Sequence, residues 1–422
     1  MKEDFLHFIW KFGLFDKEKS LTVNGELLKI ISTGQHNTDA GPDFFNAKIK
    51  IDDTVWAGNV EIHHAASDWE RHGHDSNKAY DNVILHVVEH DDKPAFRSTG
   101  ESIPTFILRY DKSIEQRYQE LLQSSDWIAC ATYIHEIDLF RIKHFLGRVL
   151  VERMEHKIEQ LTNVLVETNN NWQAASFPLL FRAFGFSTNA LPFELLAKAT
   201  PSDVIGKCFH SVQQMEALLF GQSGMLQGEA TDEYTAVLQK EYDFLRVKFS
   251  LVPIDSHLWK FLRLRPSNFP TIRIAQLAQL LCVSKGFSDR LLKNITIDET
   301  YKFFDIQASK YWDTHYVFGK TTSHKAKALG KSSIQRIIMN VVSPLLLAYG
   351  RHYGDEGLCE TALRLLEMLP PEKNRITEDW QKIGLPIDNA FYAQALLQLK
   401  SAYCNEKRCL SCVIGLEKLS KK

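Results

Sequence analysis

An α/β N-terminal domain, a mixed sheet with flanking helices, followed by a large all-α domain is the fold that three features of the sequence predict. Between Leu21 and Tyr110, apolar residues alternate with polar ones or stand in short runs. After Ser113 they recur at three-to-four spacing. Clusters of Asn, Gly and Pro separate the segments. The change of texture sets the expected domains at 1–112 and 113–422.

Residues 5–12 have helical spacing. Residues 27–31 and 47–51 then read as strands, and Asp52-Asp53 turns the chain into a strand over 55–63. Ser67-Asp68-Trp69-Glu70 offers a helix start. Residues 83–88 (Val-Ile-Leu-His-Val-Val) form a nearly continuous apolar run, which suits a central strand covered on both faces. A last strand is expected over 104–109. Beyond it, helical patterns run through 140–166 and recur around Phe193, Gln213, Ile274, Ile334, Leu363 and Ala390. Asn169-Asn170-Asn171, the stretch from Pro266 to Pro270, and Pro370-Pro371 interrupt them.

The bulk properties narrow the function. With 422 residues, 44% hydrophobic and 24% charged, the chain is ordinary globular material for two or three domains. A formal charge of -2 gives no global attraction to nucleic acid or membrane, so an anionic partner requires a local basic patch. No apolar run is long enough to span a bilayer, and the acidic start Met1-Lys2-Glu3-Asp4 does not look secretory. Seven scattered cysteines do not make a disulfide framework. A cytoplasmic protein with no membrane partner is expected.

Seven of the 16 histidines (His36, His63, His64, His72, His74, His86 and His90) crowd into one stretch with Asp39, Asp43, Glu61, Asp68, Asp75 and Asp81. Imidazole and carboxylate are the ligands of catalytic divalent ions. On a strand, Glu61 and His63 point to the same face. Gly41-Pro42-Asp43 fixes a tight turn ahead of a strand and can aim the Asp43 carboxylate at Glu61. Asp43, Glu61 and His63 are therefore the candidate catalytic residues, with Asp43 and Glu61 as metal ligands. His64, His72 and His74 are expected to face solvent or to make local hydrogen bonds.

With Pro42-Asp43 opening one strand and Glu61-Ile62-His63 on the next, the N-terminal part resembles the PD-(D/E)XK nuclease superfamily. The resemblance implies a restriction-endonuclease-like sheet, two acids holding Mg²⁺ (or Mn²⁺), and a lysine two positions on that positions the attacking water. Asp43 and Glu61 match the acids, and His63 stands in the lysine's place; Lys48 or Lys50 could supply the cation instead. Across the whole chain, the strings His36-Asn37-Thr38-Asp39-Ala40-Gly41-Pro42-Asp43-Phe44, Trp56-Ala57-Gly58-Asn59-Val60-Glu61-Ile62-His63 and Asn82-Val83-Ile84-Leu85-His86-Val87-Val88 are similar to the bacterial family called domain of unknown function 2851. The resulting expectation is a metal-dependent phosphodiesterase acting on nucleic acid. Two alternatives stand beside it. One is a non-catalytic nucleic-acid-binding or scaffold protein of the same fold. The other is a different metal hydrolase, with His36, His86 or His90 joining Glu61 around one ion.

Two further groups stand apart. Cys404-x4-Cys409-x2-Cys412 places three thiols at metal-ligand spacing, suited to structural Zn²⁺ or an iron–sulfur cluster, with the distant Cys359 as the available fourth ligand. Residues 259–273 interleave Arg263, Arg265 and Arg273 with aromatics, a pattern suited to phosphate contact and base stacking, or equally to an arginine network pinning a proline-rich loop. Residues 320–331 are a second basic stretch.

Overall fold

The computed structural model describes residues 3–16, 20–292 and 296–421. They form two compact units, one of Met1–Ile142 together with Lys400–Lys422, the other of Lys143–Leu399.

The first unit opens with helix α1 (Glu3–Lys11), which buries Phe5, Leu6, Phe8, Ile9 and Trp10. Strands β1 (Leu28–Ser32), β2 (Gln35–His36), β3 (Phe44–Ile51) and β4 (Thr54–Ala65) follow. A short helix α2 (Asp68–Arg71) and two 3-10 turns lead to β5 (Val83–His90) and β6 (Thr105–Ile107), and α3 (Lys112–Gln123) comes next. The sheet is mixed and six-stranded, in the order β1-β3-β4-β5-β6 with β2 paired to β3. β1/β3 and β3/β4 are antiparallel, whereas β4/β5 and β5/β6 are parallel. The two-residue turn between β3 and β4 accounts for the first half: Asp52 takes a positive φ of 49°, and its carboxylate accepts the Leu27 amide at 2.9 Å. The α2 crossover accounts for the parallel half, because a parallel pair cannot be joined by a hairpin.

Burial follows the sequence pattern. Ala47, Ile49 and Ile51 of β3 are buried between exposed or half-exposed neighbours, and β5 is buried without a break from Val83 to Val88. Gly34 holds a φ of +88°, and a Cβ there would meet the Phe45 carbonyl oxygen at 2.6 Å. Gly34→Ala is expected to cost more than about 1 kcal/mol through backbone strain alone. A urea titration checks this, and an unchanged midpoint refutes it.

The first unit extends well past residue 112. Ile128, Cys130, Tyr133, Ile134 and Ile137 are buried behind α3. The chain then returns from residue 400 to lay its terminal helix, Val413–Ser420, against α3, where Arg117 donates to the Leu419 carbonyl at 3.0 Å. The sequence boundary at 112 marked a change of secondary structure, and tertiary partnership ignores it.

The second unit is largely helical, with helices where periodicity predicts them, among them Leu139–Glu167, Ala190–Ala199, Val212–Gln222, Pro270–Ser284 and Glu356–Met368. It is not all-α: His315–Val317 and Lys320–Thr321 pair as a small antiparallel hairpin. Gly319, at φ 67°, permits its tight turn, and Phe318 anchors it between Phe220 and Trp312 at ring distances of 5.0 and 5.1 Å.

Candidate metal centre

The site begins with a locked loop. The Asn37 side chain donates to the Asp39 and Pro42 carbonyls at 3.0 and 3.1 Å and accepts the Asp39 amide at 2.9 Å. Gly41 supplies a φ of 111°. Asp43 thereby emerges beside β4, where its Oδ2 accepts the Ile62 amide at 2.9 Å. In return, Glu61 Oε2 accepts the Asp43 amide at 3.1 Å. Glu61 thus holds the backbone of Asp43, and Asp43 the backbone of the residue that follows Glu61, so the two acids are pinned beside each other. From α1, His7 Nε2 approaches Asp43 Oδ2 at 3.2 Å.

Glu61 and His63 share a face of β4, and His86 stands in register opposite Glu61 on β5. His63 Nδ1 lies 2.9 Å from His86 Nε2, a hydrogen bond that orients the His63 ring and leaves its Nε2 facing the cluster. After α2, Gly73 takes a left-handed φ of 74° and turns the chain back over the sheet. That reversal brings His72 Nδ1 to 3.2 Å from His63 Nε2, and His74 Nε2 to 3.1 Å from Glu61 Oε1. His63 Nε2 is 3.6 Å from the same oxygen. One nitrogen each from His63, His72 and His74 lies within 4.8 Å of the other two. His63 and Glu61 are 1% and 5% exposed, while His72 is exposed and marks the solvent side.

Behind the cluster, the fully buried Trp69 ring packs on His74 and His86 at 5.3 and 5.2 Å, and its Nε1 donates to the Phe96 carbonyl at 2.9 Å. His74 stacks on Tyr80 at 3.8 Å. The rings are thus set by packing before any ligand arrives.

Burial, reinforced by the Asp43 charge and opposed by the His74 hydrogen bond, raises the Glu61 pKa above the usual carboxylate value. Burial first, then the neighbouring His86, His74 and His72, lowers His63 to about 2. Burial likewise lowers His86 to about 4. For His7, burial is outweighed by Asp43, which raises its pKa. His63 and His86 are therefore neutral near pH 7, the form that binds metals.

The low histidine values have a consequence for stability. As pH falls through the ordinary histidine value of 6.5, the unfolded chain takes up protons on both rings while the folded chain does not. Their contribution to stability is present above 6.5 and declines as pH falls, His86's until about pH 4 and His63's further, toward about 2. In metal-free protein, His86→Leu is expected to flatten the pH dependence of the unfolding free energy between 6.5 and 4 by about one proton. Denaturant titrations across that range measure it, and parallel slopes rule it out.

A tetrahedral ion with ligands at about 2.0–2.2 Å spaces its donor atoms about 3.3–3.6 Å apart. Glu61 approaches this spacing with two of the histidines, 3.1 Å to His74 and 3.6 Å to His63, and His63 lies 3.2 Å from His72. The group whose donors all stand within 4.8 Å of one another is His63, His72 and His74, with Glu61 at its edge. Three imidazoles and an adjoining carboxylate suit a borderline ion such as Zn²⁺, and next Mn²⁺, which is harder but accepts imidazole, better than Mg²⁺, which prefers an all-oxygen shell.

The structure brings Asp43, Glu61 and His63 together and adds two residues expected elsewhere. His72 and His74 close the cluster instead of standing apart as surface or local hydrogen-bonding residues; the one sequence signal is the glycine between them, which permits the reversal. The expected gathering of His36, His86 or His90 around Glu61 is corrected. His36 lies against His7 and Phe44, at ring distances of 5.5 and 5.0 Å. His86 sits behind His63, and His90 is exposed at the end of β5. His64 pairs with Glu89 at 3.1 Å. Lys50 is bound to Asp53 at 3.2 Å and Lys48 is exposed.

In the second unit, Arg263 and Arg265 are exposed. Arg273, a candidate nucleic-acid contact, is 5% exposed and is spent inside the fold. It donates to Gln276, Asn268 and Ser333 at 2.9, 2.6 and 3.1 Å and lies over the Phe186 ring at 4.6 Å. A buried guanidinium held this way pins the proline-rich loop and is not available to a phosphate. Lys327 is likewise buried, donating to the Asp313 and Lys325 carbonyls at 3.2 and 2.7 Å.

Fold and site together define a two-unit protein whose mixed-sheet unit carries a buried histidine–carboxylate cluster. The chain belongs to the family described as protein of unknown function (DUF2851), whose sequence model matches residues 3–375. No curated protein and no solved structure matches it. Among the described residues, no helix is long and apolar enough to cross a membrane.

Proposed function

We propose that this chain is a metal-dependent phosphodiesterase acting on nucleic acid, with Glu61, His63, His72 and His74 as the metal-binding set and Asp43 beside them. The observation that carries the reading is the pinning of Asp43 and Glu61 beside each other, through the Ile62 and Asp43 amides, against the three-histidine cluster. The order of helix, antiparallel strands, short helix and parallel strand supports the likeness to PD-(D/E)XK nucleases, in which two acids occupy the corresponding places.

A divalent ion in such a site polarises a phosphoryl oxygen and acidifies a bound water. The residues do the rest. Glu61 and His63 are fixed by backbone and ring hydrogen bonds, so they hold their positions without substrate. Exposed His72 stands where a phosphate enters. Asp43, tied to Ile62 and His7, would orient the attacking water and take its proton as the new phosphorus–oxygen bond forms and the bond to the leaving oxygen breaks, that oxygen taking a proton from solvent. On the helical unit, exposed Arg263 and Arg265 are the candidate phosphate contacts.

Purified protein incubated with labelled single- and double-stranded DNA and RNA, with Mn²⁺, Zn²⁺ or Mg²⁺, tests the proposal beside Asp43→Ala and Glu61→Ala. Cleavage that needs the ion and is lost in both variants is expected. Absence of cleavage with every ion, or equal product from the variants, dismisses it.

A further inference from the structure

The three C-terminal cysteines lack a fourth ligand in the local sequence, and the structure supplies one from far away. Cys404 ends a π-helical turn (Leu399–Cys404), and Cys409 and Cys412 flank the 3-10 turn that leads into the terminal helix. This segment is laid on the stretch between residues 124 and 136. Lys407 Nζ donates to the Ser124 carbonyl at 2.6 Å, Lys400 lies over the Trp127 ring at 5.3 Å, and Lys418 lies over the Tyr133 ring at 4.7 Å. Cys130, buried, stands in the middle of that stretch. The residues that touch the cysteine-bearing segment flank Cys130 on both sides, Ser124 and Trp127 before it and Tyr133 after it. The candidate suggested by sequence alone, Cys359, belongs to the other unit, with its sulfur 3.9 Å from the Leu347 carbonyl.

A single zinc ion would draw its four sulfurs to about 3.8 Å from one another, and among the described residues no three of these sulfurs lie within 4.8 Å of one another. We propose that Cys130, Cys404, Cys409 and Cys412 are instead the four thiolate ligands of an iron–sulfur cluster, which ties the 124–136 stretch to the C-terminal turn. Charge favours a metal centre over four packed thiols: the cations around the segment, Lys400, Lys407 and Lys418, offset the negative charge that four thiolates bring. Gly415 adds a steric element: a Cβ at that position would overlap the Cys409 carbonyl, so the turn bearing Cys409 and Cys412 is seated closely on the terminal helix.

The test is metal analysis of the full chain, purified without oxygen and also reconstituted with ferrous iron and sulfide or with zinc. A brown chromophore with about four iron and four acid-labile sulfide per chain is expected for a cubane cluster; about one zinc at these cysteines and no cluster overturns the proposal. Cys130→Ser and Cys404→Ser are each expected to lose most of the iron, and Cys359→Ser to keep it. X-ray absorption at the metal edge, on chain carrying His72→Ala and His74→Ala to silence the histidine cluster, is expected to give an all-sulfur shell. That measurement holds even if Cys130→Ser fails to fold. Chain that takes up neither metal, full retention in folded Cys130→Ser, or a nitrogen or oxygen atom in the shell overturns the assignment.

Discussion

Glu61→Gln is expected to abolish the rise in thermal stability that Mn²⁺ gives the wild-type chain, while leaving the metal-free protein folded. The glutamine carbonyl can still accept the Asp43 amide, and its NH₂ group can donate to His74, so both neighbours of Glu61 keep a partner. The anionic oxygen that faces His63 and His74 is lost. An ion bound with a thousandfold excess over its Kd stabilises the fold by about 4 kcal/mol, and nearly all of that should vanish. Cleavage should fall by at least about 100-fold, since even residues that only support metal ligands cost 10–100-fold when changed. Calorimetry with and without the ion decides the matter. An undiminished shift in the glutamine variant would place the ion elsewhere and remove Glu61 from the site.

Trp69→Ala should be among the most damaging single changes in the first unit. The indole is fully buried in a small cluster with Val83, Ala95 and Ile103, and its ring backs His74 and His86. Removing it costs about 3–5 kcal/mol, or roughly 10 °C in Tm for a unit of this size. The histidines lose their wall as well, so weaker metal binding should accompany the lower Tm. Trp69→Phe separates the two contributions. It keeps most of the packing and forfeits the hydrogen bond to Phe96, at about 1–2 kcal/mol. If the alanine variant melts within a degree or two of wild type, that packing account is wrong.

The central strands were readable because each obeys a period that local residues decide. β3 alternates, β5 is nearly all apolar from Val83 to Val88, and Asp52-Asp53 must turn. The meeting of Asp43 and Glu61 was readable for the same reason, since a short turn and an adjacent strand leave little freedom. His72 and His74 were not, because their placement depends on where the β4–β5 crossover lands, which α2, Gly73 and Trp69 settle jointly. Arg273 misled for a related reason: its neighbours in sequence suggest a basic surface, but Asn268, Gln276 and Ser333 gather around it only in three dimensions. Cys130 carries no local signal, because its partners lie at the far end of the chain.

The interleaved order of the two units bears on how the chain is made. A ribosome finishes the stretch from 143 to 399 before it reaches the segment that completes the first unit. The helical unit can therefore mature on the nascent chain, while the sheet waits with the face of α3 that the terminal helix later covers still bare. Translation halted shortly before residue 400 would leave that face exposed to chaperones and proteases.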